Sequence, residues 1–205
     1  MSPQGSRPRF VIICIDALRA DHVGCYRGDA GVTPHMDRLA AEGVRFANAI
    51  SQASWTHPSV ASIMTGLYHS QHVMTGACQA GDATKLIALS SDLPTLPGCL
   101  GEAGYATAAF VAGNAYLKPE FGITRGFGHL DFETTTDGAV VVEDFARWLA
   151  GAGDGPWAAY IHLMDVHSPL PQELFPTRPM VDRGVEGLAG ADAADTLLGY
   201  YSAGV

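Results

Sequence analysis

Short uninterrupted apolar runs alternate along this chain with stretches whose apolar residues recur at helical spacing. The first run, Phe10-Val11-Ile12-Ile13-Cys14-Ile15, is rich in β-branched residues and ends at Asp16, the pattern of a central parallel strand buried on both faces. Thr33 and Pro34 then provide an N-cap and a first-turn proline. Met36, Leu39 and Ala40 recur on one helical face, and Gly43 closes the helix. The stretch 44–50 predicts a second short strand. Ser54-Trp55-Thr56-His57-Pro58 leads into a helix carrying Val60, Ile63 and Met64, which Gly66 ends. A helix over 93–103 stops at Gly104, and 105–111 is small and apolar enough for another buried strand. A third repetition follows, with a helix over 140–149, a turn over 151–156 and a strand over 157–164 that ends at Asp165. Strands alternating with helices predict an α/β fold with a mainly parallel sheet flanked by helices on both faces. Ligands of such sheets gather beyond the carboxyl ends of the strands, where Asp16 falls in one strand and Asp165 with His167 in another. The stretch 192–205 opens as a helix with Leu197, Leu198 and Tyr201 on one side and stops without a cap or a following strand. The expectation is therefore a polar tail over 1–8 and, over 9–205, the N-terminal portion of a longer domain, truncated at its C-terminus.

Composition narrows the function classes. Of 205 residues 47% are hydrophobic and 16% charged, enough to build one core and too apolar for a disordered chain. The net charge of −9 and the absence of a basic run argue against a nucleic-acid partner. No apolar stretch approaches the roughly 20 residues of a membrane span. Met1–Arg9 is polar and lacks the charged, apolar and cleavage regions of a secretory leader, so a cytoplasmic location is expected if Met1 is the native start. Cys14, Cys25, Cys78 and Cys99 lie far apart with no CxxC pair, which reads as free thiols, mostly buried.

Four residues carry candidate chemistry. Thr56 stands at a predicted helix N-terminus, where unpaired backbone N–H groups and the positive dipole end favour a bound phosphate or sulfate and a nucleophile developing negative charge. The plainer alternative is a capping threonine. Asp16 follows a hydrophobic strand directly and offers an oxygen ligand to a hard cation, or else caps the following turn. His167 suits an anionic ester oxygen or a leaving group that needs a proton, and equally a satisfied loop histidine. His162, inside a strand, reads as a buried structural histidine.

The order of the motifs carries more than any one residue. Ile15-Asp16-Ala17-Leu18-Arg19-Ala20-Asp21-His22-Val23-Gly24-Cys25-Tyr26 and then Thr33-Pro34-His35-Met36-Asp37-Arg38-Leu39-Ala40 resemble the opening of the sulfatase family within the alkaline phosphatase superfamily. Thr56-His57-Pro58-Ser59, with Thr65-Gly66 downstream, is similar to that family's nucleophile motif: Cys or Ser, any residue, Pro, Ser, Arg, then Thr-Gly. Leu67-Tyr68-His69-Ser70-Gln71-His72 looks like the segment that follows it. Gly126-Phe127-Gly128-His129-Leu130-Asp131 and Asp165-Val166-His167-Ser168-Pro169 match later family blocks in order.

The resemblance covers nearly the whole chain and implies an alkaline-phosphatase-like (sulfatase) fold and an ester hydrolase with a small anionic ester as substrate. It implies Thr56 as nucleophile, Asp16 and Thr56 on a divalent metal (calcium, manganese, magnesium or zinc), and His167 and His72 on the substrate anion, with His167 also catalytic. Three positions depart from the family pattern. Thr56 replaces Cys or Ser and cannot become the aldehyde hydrate, so no formylglycine is expected; Ala17 replaces a second Asp; Val60 replaces the motif arginine. A threonine nucleophile is similar instead to the phosphoglycerol transferases and nucleotide phosphodiesterases of the superfamily. There the metal would lower the hydroxyl pKa and offset charge on the phosphoryl oxygens. The family's later metal ligands are expected beyond Val205, which makes the 205-residue chain by itself a weak metal binder without activity, or an anion- or partner-binding domain.

Overall fold

In the computed structural model, residues 7–28, 33–74, 87–133 and 135–167 are described. They form four strands, β1 (Phe10–Ile15), β2 (Ala106–Val111), β3 (His129–Phe132) and β4 (Trp157–Leu163), and six helices, α1 (Gly24–Arg27), α2 (Pro34–Glu42), α3 (Thr56–Thr65), α4 (His69–His72), α5 (Leu96–Glu102) and α6 (Gly138–Gly151). The sheet is entirely parallel, in the order β1-β4-β2-β3. Residue Ile15 is in register with Leu163, and His162 with both Cys14 and Val111. The carboxyl ends of β1, β4 and β2 therefore lie side by side.

Helices cover both faces, as the alternation of elements predicts. Because successive strand residues point to opposite sides, Ala108, Phe110, Ala159, Ile161 and Leu163 pack with Val141, Val142 and Phe145 of α6. The neighbouring positions Ala109, Val111 and Tyr160 pack on the other face with Val60, Ala61 and Met64 of α3. Ile12 and Cys14 of β1 join the α3 side, and Asp16, next in the same alternation, continues toward it.

Several expectations need correction. Among the described residues β1 lies at the end of the strand order and not at its centre: it pairs with β4 alone, and every β1 residue keeps some exposure. β4 and β2 are the two interior strands, and β4 is buried along its whole length. An apolar run on both faces marks burial and does not rank neighbouring strands. Residues 44–50 form no strand; Val44, Phe46 and Ile50 are 80%, 70% and 83% exposed, because β-propensity without a partner strand does not hold a strand in place. β3 is a strand that the reading did not anticipate, short and half polar. α5 begins at Leu96, where the Thr95 hydroxyl accepts the Gly98 N–H (3.3 Å). Thr33 occupies the N-cap of α2 before Pro34, but its hydroxyl makes no cap bond; it accepts the Gly24 N–H (2.9 Å) instead. Ile63 of α3 is exposed rather than packed. The thiols of Cys14, Cys25 and Cys99 are unpaired, as expected, but none of the three is buried. The proposed helix over 192–205, Cys78 and Ser168-Pro169 lie outside the described residues. No helix of the described residues is long and apolar enough to cross a membrane.

Candidate active site

The site is built at the carboxyl edge of the sheet. β1 delivers Asp16, whose backbone N–H still bonds to Leu163 O (2.9 Å) and so belongs to the sheet. The chain turns at once through Ala17, at φ 61°, a left-handed conformation that an L-residue other than glycine rarely takes and that clusters at functional sites. α3 delivers Thr56 as its first helical residue, with Trp55 at the N-cap position. The Thr56 hydroxyl does not cap its own helix: it donates to Asp16 Oδ2 (2.8 Å) across 40 residues of sequence. The hydroxyl of Thr56 thus serves Asp16 and not the cap of its own helix.

The start of α3 is braced from below by His57. Its imidazole is fully buried, with Nδ1 3.0 Å from Tyr116 O and Nε2 2.9 Å from Ile87 O. The ring stacks on Trp55 (centroids 5.6 Å apart) and meets Phe121 edge-on (5.2 Å). At the far end, Gly66 at φ 68° closes α3, its N–H bonded to Ser62 O.

Two further groups converge on the same oxygen of Asp16. Asn114 Nδ2 donates to Oδ2 (2.9 Å), and His162 Nε2 lies 3.3 Å from it. His162 is fully buried and pairs through Nδ1 with the Tyr160 hydroxyl (2.9 Å). It is buried, as the sequence suggests, yet it is also part of the site. Burial is the largest influence on Asp16 and works to raise its pKa, but hydrogen bonds from His162 and Thr56 and the charges of His162 and His167 outweigh it and hold the carboxyl below its ordinary value. For His162 burial works downward, and the bonds and charges of Asp16 and Cys14 outweigh it, so the imidazole is raised. Tyr160, buried beside Cys14 and Asp16, has its hydroxyl pushed well above the usual phenol range, chiefly by desolvation.

Sequence reasoning missed Asn114. The signal was available in its place: it follows the carboxyl end of β2 as Asp16 follows β1, and it is a capping residue type. Its side-chain oxygen accepts the Tyr116 N–H (2.9 Å) at the start of the 3-10 turn Ala115–Leu117.

The remaining candidates are placed as follows. His167 lies in the turn after β4, its N–H bonded to Met164 O (2.9 Å), close enough for its charge to act on Asp16. Asp165 accepts the Gly138 N–H (3.0 Å) at the start of α6. His72 is not brought to Thr56 or Asp16 by any described bond: it is buried behind α3, with Nε2 2.9 Å from Ser62 Oγ and Nδ1 accepting the Met74 N–H (3.2 Å). Both ring nitrogens are thus committed, which leaves neither for a substrate anion. Desolvation first, and the charge of His69 second, lower its pKa. A separate group of acids, Asp131, Glu133 and Asp144, places ligand oxygens within 4.8 Å of one another between β3 and α6. Burial, together with Asp131 and Asp144, raises Glu133. Asp16 and Thr56 do not belong to that group.

A family profile described as Sulfatase matches residues 8–183. N-acetylgalactosamine-6-O-sulfatase of Bacteroides thetaiotaomicron is 33% identical over 124 residues, covering 60% of this chain and 24% of the relative. A solved structure of a protein in complex with its substrate D-glucosamine-2-N,6-O-disulfate superposes with a TM-score of 0.66 at 23% identity, covering 83% of this chain and 39% of the other. The phosphonate monoester hydrolase of Agrobacterium radiobacter superposes with a TM-score of 0.63 at 19% identity, covering 78% and 41%. The latter two likenesses establish the fold. The chain spans about a quarter of the length of the first of these relatives.

Proposed function

Because the chain belongs to the sulfatase family, we propose that the whole protein is an ester hydrolase acting on small sulfate or phosphate esters, with Thr56 as nucleophile. One observation carries the reading: a threonine hydroxyl at the start of a helix donates 2.8 Å to a strand-end carboxylate at the carboxyl edge of a parallel sheet. The curated relative named above is called a sugar O-sulfatase, which supports a sulfate ester. Thr56 in place of Cys or Ser supports the phosphoryl alternative, since threonine cannot yield formylglycine.

Asp16 and Thr56 fit a divalent cation. Both are hard oxygen donors already within hydrogen-bond distance, and all the described bonds to the Asp16 carboxylate go to Oδ2. Bound there, the cation would lower the hydroxyl pKa and offset charge on the ester oxygens. Asp16, held ionised, keeps the hydroxyl hydrogen turned toward itself. Thr56 Oγ forms a bond to sulfur or phosphorus as its proton passes to Asp16 Oδ2, the ester bond to the leaving oxygen breaks, and the electron pair leaves with that oxygen. The first N–H groups of α3 face the developing anion. His167, with its charge near Asp16, supplies a proton to the departing alcohol. Water then attacks the same sulfur or phosphorus and gives a proton to His167, while the bond to Thr56 Oγ breaks and Oγ takes back the proton held by Asp16.

The test is turnover by the full-length protein, with manganese, zinc or calcium, of aryl sulfate, aryl phosphodiester and phosphomonoester substrates. Thr56→Ala is expected to lower kcat by at least about a thousandfold on whichever ester is cleaved. Unchanged activity in that variant sinks the reading. The sulfate-to-phosphodiester ratio decides between the two ester classes.

A further inference from the structure

Asn114 is nearly fully buried, at 2% exposure, and both arms of its carboxamide are committed. The oxygen accepts the Tyr116 N–H, which fixes the other arm as the amide nitrogen, a donor. That nitrogen lies 2.9 Å from Asp16 Oδ2, 3.2 Å from Met164 Sδ and 3.4 Å from His162 Nε2. Among these neighbours Oδ2 is the nearest and the one carboxylate oxygen. It is also the oxygen that accepts the Thr56 hydroxyl. A carboxylate oxygen offers two in-plane lone pairs, and Thr56 and Asn114 are the two donors within 2.9 Å. His162 Nε2 is a third, longer contact to Oδ2 at 3.3 Å, and beyond Asp16 the chain passes at once into the exposed, left-handed Ala17.

We infer that Asn114 is the positioning residue of this site: it clamps Asp16 Oδ2 from the β2 side, so that the Asp16 carboxylate presents one fixed geometry to the Thr56 hydroxyl and keeps Oδ1 free of these bonds. The inference rests on the reading of Asp16 and Thr56 above. It also gives the short turn after β2 a task, since the bond that caps Ala115–Leu117 is the bond that orients the amide. Buried side-chain amides whose two ends are both satisfied lose little entropy on binding and hold their partner rigidly.

Two variants of the full-length protein separate positioning from capping. Asn114→Ser keeps an N-cap oxygen but is too short to reach Asp16; Asn114→Asp keeps the cap and faces Asp16 with an acceptor. Folding is followed by circular dichroism and thermal melting, metal binding by calorimetric titration with Mn2+, and turnover as kcat and KM separately. The expected result for Asn114→Ser is a native melt, a kcat lowered about 10–100-fold with KM changed by less than about threefold, and Mn2+ binding weakened about tenfold or more. Asn114→Asp is expected to lose at least as much kcat. A folded Asn114→Ser protein with wild-type kcat and Mn2+ affinity overturns the inference. If that variant does not fold, wild-type kcat in Asn114→Asp overturns it, and failure of both to fold does so too, by making Asn114 a structural cap alone. Should Thr56→Ala retain full turnover, the reading of Thr56 fails, and the Mn2+ titration still reports on Asn114.

Discussion

Asp16 and His162 hold each other's charge, and the two shifts set opposite limits of pH. Asp16 is lowered from 3.8, so its contribution to stability is complete above that value and disappears as pH falls through the depressed folded pKa. His162 is raised from 6.5, so its contribution is complete below that value and disappears as pH rises through the raised folded pKa. The pair therefore stabilises the metal-free protein most between about pH 3.8 and 6.5. Thermal melts of the wild type and of His162→Gln in chelator are expected to differ most inside that window and to converge as pH rises through the raised pKa of His162; a constant difference across pH contradicts the pairing. Asp16 and Thr56 were legible because a polar residue ending an apolar run, and a hydroxyl before a first-turn proline, are local signals. Asn114 and the site role of His162 were not, because each depends on which strands lie side by side. Nothing local to Val111-Ala112-Gly113-Asn114 tells that β2 ends two strands away from β1.

Elements that the periodicity predicted well are those whose two faces differ sharply. α6 is one: Phe145 is fully buried, with ring centroids 5.7 Å from Phe110 and 6.2 Å from Trp157. Phe145→Ala is expected to destabilise the fold by about 3–5 kcal/mol, read as a fall in the denaturation midpoint at constant m-value. A loss below about 1 kcal/mol would mean that α6 is not the anchor of that face. α4 carries the opposite lesson, a local rule broken. It ends at Val73, at φ 49° and 57% exposed, a β-branched residue in a conformation that favours glycine. Val73→Gly removes that penalty and little packing, and is expected to stabilise by about 1 kcal/mol, again by the denaturation midpoint. The strand expected over 44–50 failed for a related reason: alternation supplies a face, and only a neighbouring strand supplies the hydrogen bonds.

At the scale of the molecule, the fold class was readable because the alternation of strands and helices permits few topologies, whereas the sheet order was not, since the pattern is the same for an edge and a centre. That order has a consequence in time. β1 begins at Phe10, near the start of the chain, and its one partner among the described residues is β4. The contact between Asp16 and His162 spans 146 residues. At about 5–20 residues per second, β1 emerges from the ribosome roughly 7–30 seconds before the strand it pairs with. Throughout that interval the apolar residues of β1 are without the neighbours that β4 supplies. The contact of Asp16 with His162 is thus among the last that the described part of the chain can make.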